Sequence, residues 1–306
     1  MTLSFNRSVI EEFRARGGKV GGPFEGSDLL LLTTTGTTSG REHTTPLACF
    51  RDGDRLLVVA SAAGAPRHPD WYHNLLAHPL VRVEFGTEEF SAVAVPAEGA
   101  HRDRLFAQVV DAAPGFADYQ ARTVRTLPVV MLERSEPDPD ETPREITNLA
   151  DKLIEVHTWL RAQLRQVRAE ADAHFAARPG AAAEGSGAPP APALGLQIRQ
   201  HCLAFCQSLT FHHTSEDEHA FPSLDAHHPH LRAALDRLRA EHRTVGRIKD
   251  ELVGLLGSIG TTDPHRFRSE LERMSTELTA HLDYEEESLI PVLAEIPFPP
   301  GPPNPS

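Results

Sequence analysis

Two short phrases in the second half of this 306-residue chain carry paired metal-ligating side chains. One reads Phe211-His212-His213-Thr214-Ser215-Glu216 and runs on to Pro222; the other reads His281-Leu282-Asp283-Tyr284-Glu285 and runs on to Pro291. Each contains His-x-x-x-Glu, and in each the Glu stands six residues before a Pro. On an α-helix, positions i and i+4 share a face and lie about 6 Å apart along the axis. Coupled metal ions sit about 3.5–4 Å apart. A His can therefore hold one ion while the Glu one turn along bridges to a second. Two such helices supply two bridging carboxylates and two imidazoles. Further imidazoles come from His157 and His242, each in the interior of another helical stretch. A lone His on a helix is ordinarily a surface or core residue, but one His per helix together with two matched phrases argues for a dinuclear site. Mixed imidazole and carboxylate ligation suits iron, with manganese as the alternative; zinc and copper are chemically admissible.

Four helices must position these groups. The pattern predicts them near 147–176, 194–220, 230–257 and 265–294, as an antiparallel bundle. Residues 177–193, rich in Ala, Pro, Gly and Ser, read as a disordered loop. Residues 136–146 are rich in Pro and acid and read as a linker, and 297–306 read as an extended tail. The expected domains are 1–135 and 147–296. Twelve of the 17 histidines follow Ser135. The first 135 residues carry 14 basic and 16 acidic side chains, so eleven of the thirteen net negative charges fall on the remainder. An acidic, His-rich bundle suits a cation binder, and this charge argues against nucleic acid as a partner. No stretch reaches the roughly 18 apolar residues that span a bilayer. Three cysteines make no disulfide framework, so a cytoplasmic location is expected. Cys202 and Cys206 read as small buried hydrophobes, and His227, His228 and His230 as a solvated turn.

The first 135 residues obey a different grammar. A helix is expected over 9–16, closed by Gly17 and Gly18. Strands are expected over 28–34, 44–50, 55–61, 80–85, 90–95 and 127–132, with helices from Pro69 and over 101–112. Asp52-Gly53 between the second and third strands is a hairpin signal, because it accepts positive φ. Short antiparallel strands with interposed helices suggest a small barrel rather than a doubly wound parallel sheet. The fold class is α+β, in two domains. Residues 33–41 gather Ser, Thr and Gly directly after an apolar strand, a loop able to offer N–H groups and hydroxyls to an anion. The Gly-Lys-Ser/Thr of a nucleotide loop is missing.

The ordered run of this loop, Thr44-Thr45-Pro46-Leu47, Arg51-Asp52-Gly53, Ala60-Ser61, Gly64-Ala65, His68-Pro69-Asp70-Trp71-Tyr72-His73-Asn74-Leu75, Tyr119-Gln120 and Arg125-Thr126-Leu127-Pro128 resembles the deazaflavin-dependent nitroreductase and quinone reductase family throughout 5–134. The resemblance implies a split β-barrel that binds reduced coenzyme F420, with FMN or FAD as the alternative flavin. It implies hydride transfer to quinones, nitro compounds or other acceptors. Carried over by position, Thr37, Thr38, Ser39 and His43 would meet the phosphate and tail. Thr44, Thr45, Pro46, Leu47 and Ala48, with Ala60, Ser61 and Ala62, would line the tricycle and lactate. Trp71, Tyr72 and Asn74 would begin the helix over the pocket, and Tyr119 would face substrate. Thr37-Thr38 and Ala62 stand where relatives often carry cations, leaving Arg41, His43 and Arg67 to compensate. Such barrels often pair, so the resemblance admits a homodimer without requiring one.

Residues 147–295 resemble the hemerythrin-like, HHE cation-binding family, which implies a four-helix bundle around a non-haem di-iron centre. The ligands carried over are His157, His212, Glu216, His242, His281 and Glu285. Oxygen-carrying relatives have a second His one turn from the third-helix His; here Leu238 and Gly246 flank His242 at that spacing. His213 and His201 are candidates for the vacancy, His201 because eleven residues bring it to the face of His212. The combined expectation is a fused oxidoreductase that uses reduced F420 and passes electrons to a di-iron centre acting on O2 or a related oxidant. The alternatives are a di-iron sensor of O2, nitric oxide or iron with a non-catalytic barrel, and a plain quinone or nitro reductase with an accessory bundle.

Overall fold

The computed structural model describes residues 3–135, 145–176, 194–257 and 263–298. Of the expected linker 136–146, loop 177–193 and tail 297–306, residues 136–144, 177–193 and 299–306 lie outside them. Contacts divide the chain into two units: Met1–Glu136 with Ala183–Ala204, and Pro137–Ala182 with Phe205–Ser306.

The first unit is a closed six-stranded barrel in the order β1-β2-β3-β6-β5-β4, every pair antiparallel. The strands are β1 Leu29–Thr35, β2 Glu42–Asp52, β3 Arg55–Val59, β4 Leu80–Phe85, β5 Glu88–Pro96 and β6 Val129–Arg134. Helix α1 (Leu3–Ala15) starts earlier than expected and is closed by Gly17 and Gly18, both at positive φ. The continuous apolar run of β1 has a physical cause, since both of its faces are covered. Leu30 and Leu32 enter the barrel core, while Leu29 and Leu31 pack with Val9 and Phe13 of α1. The Asp52-Gly53 hairpin forms as read, with Asp52 opposite Arg55 and Gly53 at φ +61°.

Helices α2 (Asp70–Ala77), α3 (Gly99–Ala112) and α4 (Gly115–Ala121) interrupt the strands. The sequence pattern does not announce α4. It is seven residues long, and only Phe116 and Tyr119 give it an apolar face. Helix α6 (Leu194–Ser215) contributes its opening turns to this unit. The Gln200 amide there donates to the carbonyls of Leu75 and Ala94, and Ala204 joins the core cluster around Leu57, Val95 and Met131.

The second unit is a helical bundle containing α5 (Leu149–Ala176), the rest of α6, α7 (Phe221–His227), α8 (Arg232–Leu256) and α9 (Pro264–Leu293). Helix α9 packs against both α5 and α8. Buried positions on α8 run Leu235, Leu238, His242, Val245, Ile248, Leu252, and on α5 His157, Leu160, Leu164, Val167. This three-and-four spacing is the core stripe of a bundle, and histidines occupy places in it that would otherwise be apolar. The expected second helix is broken by a π-turn at Glu216–Ala220, where the Phe221 N–H reaches back to the Glu216 carbonyl. Pro222 follows and has no N–H with which to continue the α pattern. Such turns are frequent at functional sites. Among the described residues, no helix is long and apolar enough to cross a membrane.

Candidate functional site

Seven buried side chains converge inside the bundle. Ligand atoms of His157, His212, Glu216 and Glu285 all lie within 4.8 Å of one another, and so do those of His213, His242 and His281. Two carboxylates join the groups. Glu216 stands with Oε1 at 3.4 Å from His212 Nδ1 and Oε2 at 3.5 Å from His242 Nε2. Glu285 Oε2 is 3.5 Å from both His157 Nε2 and His281 Nε2. Each carboxylate therefore spans the two groups of ligand atoms.

Helix geometry explains how α6 supplies three ligands. With about 100° per residue, His213 points about 100° from His212, and Glu216 points about 40° from it. The carboxylate falls angularly between the imidazoles, so His212 joins one group, His213 the other, and Glu216 reaches both. His281 and Glu285 repeat the i, i+4 half of this arrangement on α9.

Outer acids fix the rings. His157 Nδ1 is 2.8 Å from Glu286 Oε1, His242 Nδ1 is 3.0 Å from Asp217 Oδ1, and His281 Nδ1 is 3.0 Å from Glu241 Oε2. With Nδ1–H donating to a carboxylate, the Nε2 lone pair is directed inward. Arg161 in turn donates to Glu286 and Asp283, and Arg237 to Glu241. Asp217, Glu241 and Glu286 were not singled out from the sequence. Each adjoins a ligand in the chain, and that adjacency was the available signal.

The interior is fitted to cations. His213 Nε2, Glu216 Oε2, His242 Nε2, His281 Nε2 and both oxygens of Glu285 are buried without hydrogen-bond partners. Each such orphan costs about 1–3 kcal/mol if nothing meets it, and a metal ion meets several at once. Burial holds the His212 imidazole down to about 3 and pushes His213 lower still. Burial and the neighbouring His281 also lower His242. These rings are thus neutral, the form that ligates. Burial and repulsion from Glu285 raise Glu216. Burial would raise Glu285 too, but contact with His157 outweighs it and holds the group low.

His201 does not reach this cluster. It shares the face of His212 but lies eleven residues away, about 16 Å along the axis. It instead places Nε2 3.1 Å from Glu133 Oε2. The three cysteines are buried, with Cys49 pushed up to about 12 by burial.

In the first unit, strand direction gathers the predicted cofactor residues. The ends of β1 and β3 and the starts of β2 and β6 share one barrel mouth. Thr37, Thr38 and Ser39 are exposed in the β1–β2 turn, and Ser39 Oγ lies 3.2 Å from His43 Nε2. The Thr37 N–H donates to Asn74 Oδ1, and Asn74 Nδ2 donates to Thr34 Oγ1, which ties α2 to this turn. Residues 44–48 are all half-exposed. They pair with β1, whereas β3 pairs only with 49–52. The other edge of that half-strand is open among the described residues, which also explains why Pro46 is tolerated there.

Beyond β3 the backbone turns left-handed at Ala62 (φ 46°), Ala63 (φ 53°) and Gly64 (φ 81°). Left-handed alanines are strained, and such strain gathers at ligand sites. Arg125 holds the segment by donating to the carbonyls of Ala60, Ser61 and Ala65 at 2.7–2.9 Å. Tyr119 packs beside it, its ring 5.6 Å from Phe116, and its carbonyl would meet any Cβ at Gly64. Tyr72 is half-buried next to His68, whereas Trp71 lies in the barrel core. An open strand edge, a hydroxyl-rich turn and a clamped, strained loop at one mouth fit an elongated anionic cofactor.

Comparison with known proteins assigns both halves. Residues 5–134 match the model for F420H(2)-dependent quinone reductase. An F420H(2)-dependent quinone reductase of Mycobacterium tuberculosis is 42% identical over 127 residues, covering 40% of this chain and 85% of the relative. The chain belongs to the F420H(2)-dependent quinone reductase family. A second, putative F420H(2)-dependent quinone reductase of Mycobacterium tuberculosis is 36% identical, covering 34% of this chain and 87% of that protein. A solved F420-H2 dependent reductase is 37% identical, with 34% of this chain and 93% of that chain covered and a TM-score of 0.33. Another solved chain, titled as a domain-swapped dimer, is 31% identical over 42% of this chain and 98% of its own, with a TM-score of 0.34. Residues 148–293 match the hemerythrin HHE cation binding domain. This quinone reductase family member is thus fused to a hemerythrin-type bundle.

Proposed function

We propose that this chain is an oxidoreductase whose first domain, 1–135, uses reduced coenzyme F420, coupled to a di-iron centre in the second domain, 147–296, that binds or reduces O2 or a related oxidant. Bound F420H2 supplies hydride, and a pair of irons supplies one-electron steps and open coordination positions for a small oxidant. The supporting observation is the convergence of six orphaned buried atoms on one interior already provided with five buried imidazoles.

The chain's own residues divide the work. His157 and His212 would hold one ion, and His213, His242 and His281 the other. Glu216 and Glu285, each within reach of both groups, would supply negative charge that offsets part of the metal charge. Glu286, Asp217 and Glu241 hold the ring tautomers. At the barrel mouth, the hydroxyls of Thr37, Thr38 and Ser39, with His43, would hold the cofactor's anionic tail. The open edge of 44–48 and the clamped 60–62 segment would hold its ring system, with Tyr72 and Asn74 on the adjoining helix and Tyr119 toward the acceptor. The quinone reductase relatives support a quinone-type acceptor, and a homodimer is proposed with it.

The test mixes the purified full chain with F420H2 and O2. A Glu216→Ala/Glu285→Ala variant should lose O2 consumption while still oxidising F420H2 with a quinone. Unchanged O2 consumption in that variant overturns the coupling. A second reading, a ligand-sensing bundle beside a weakly binding barrel, rests on Thr37, Thr38 and Ala62 standing where relatives often carry cations. It predicts spectra that respond to O2 without turnover.

A further inference from the structure

Pro79 deprives two carbonyls of the N–H that the fold would otherwise give them. The Leu75 carbonyl belongs to the last turn of α2 and would accept from residue 79, four positions along. The Ala94 carbonyl faces β4 one step beyond the last strand pair, Leu80 opposite Val93. There the Ala94 N–H donates to the Pro79 carbonyl at 2.8 Å. In an antiparallel pair the opposite residue returns an N–H, and a proline has none.

The donors come from α6 instead. Gln200 is fully buried, and its Nε2 donates to the Leu75 carbonyl at 2.8 Å and to the Ala94 carbonyl at 3.1 Å. One side-chain amide thus meets both orphans. Its Oε1 accepts from Arg199 Nη1, which fixes the orientation of the amide, and the same nitrogen donates to the Leu76 carbonyl at 2.7 Å. A cation at the carbonyl end of a helix also complements its dipole. All these residues lie in the first unit. Arg199 and Gln200 nevertheless stand outside residues 5–134, the extent of the quinone reductase match.

Helix α2 has only eight residues, too few to hold itself in water. It carries Asn74, the neighbour of Leu75, whose side chain accepts the Thr37 N–H and donates to Thr34 Oγ1. We infer that Arg199 and Gln200 are positioning residues of the F420 mouth: a cap supplied by α6 that holds the last turn of α2 and, through Asn74, the β1–β2 turn, given the reading of that turn as the cofactor's.

The test uses the full chain. Gln200→Met keeps the side chain's length and removes both donors. It should raise the Kd for F420 about tenfold, the scale of one buried carbonyl left unmet, while kcat with a quinone at saturating F420H2 stays close to that of the wild type. Hydrogen exchange, measured without cofactor, should quicken in the peptides containing Thr37 and His78, whose N–H groups bond to Asn74. Pro79→Ala returns an N–H opposite Ala94, so Pro79→Ala/Gln200→Met should bind F420 more tightly than Gln200→Met. Arg199→Met, at a half-exposed position, should shift Kd and exchange in the same sense, and carries the test if Gln200→Met does not fold. A purely structural Gln200 would lower the melting temperature and leave the Kd of the folded chain as it was. That result, or unchanged exchange in both peptides, overturns the positioning role. A wild-type chain that binds no F420, with exchange still quickened by Gln200→Met, would instead overturn the cofactor reading of the mouth.

Discussion

Replacing Glu286 should weaken one metal position and spare the other. Its Oε1 accepts from His157 Nδ1 at 2.8 Å and from Arg161 Nη1 at 2.6 Å. Removing an acid that orients a ligating imidazole ordinarily costs 10- to 100-fold in metal affinity, about 1.4–2.7 kcal/mol. Glu286→Gln keeps an acceptor beside the ring and loses only the charge, so it should fall near the lower end, about tenfold. Glu286→Ala also frees the His157 tautomer and leaves Arg161 with Asp283 alone, so it should approach about a hundredfold. Glu241→Gln should act through His281 on the other position. Chelator competition with the full chain, followed as two successive binding events, reads both constants. Each variant should shift one event only, and Glu287→Gln, at an exposed position on the same helix, should shift neither. Equal weakening of both events by Glu286→Gln, or wild-type affinity in Glu286→Ala, would refute the assignment of Glu286 to the His157 position.

Other outcomes follow from the same geometry. Gly64→Ala places a Cβ 2.9 Å from the Tyr119 carbonyl oxygen at φ +81° and should cost the barrel about 2 kcal/mol or more, seen as a lower melting temperature. Arg125→Met removes three carbonyl contacts from the 60–65 segment; a loss of about 1–3 kcal/mol and weaker F420 binding at unchanged metal content are expected. Acid should destabilise the metal-free chain. His212 is lowered from 6.5 to about 3, so between those values the unfolded chain binds the extra proton, and stability falls as pH drops below 6.5. At pH 5 this one imidazole costs about 2 kcal/mol relative to pH 7. His213 and His242 act in the same sense, while the raised Glu216 opposes them. Urea unfolding that is equally or more resistant at pH 5 contradicts this balance.

The buried His and Glu cluster was legible because such residues are costly at the apolar positions of a bundle stripe. His212, Glu216, His281 and Glu285 announced themselves by i, i+4 spacing, and His157 and His242 by their mid-helix places. His213 was weighed equally with His201, the latter on its shared face with His212. Distance along the helix axis separates them. The partnership of Glu286 with His157 joins residues 129 apart in sequence, and no local periodicity encodes which acid faces which ring. The π-turn was likewise hidden, although Pro222 marked its place. In the barrel, strand existence followed from alternation and turn residues. The open edge of 44–48 did not, because it arises where β3 ends and not from β2 itself. Arg125 stood inside a quoted phrase, yet its role as a clamp on left-handed backbone required the fold.

The most direct measurement is metal content of the purified full chain beside its Glu216→Ala/Glu285→Ala variant. About two metal ions per chain should be found, as a dinuclear site requires, with both lost when the bridging carboxylates are removed. A wild-type chain that binds none, or a variant that retains both, would contradict the account.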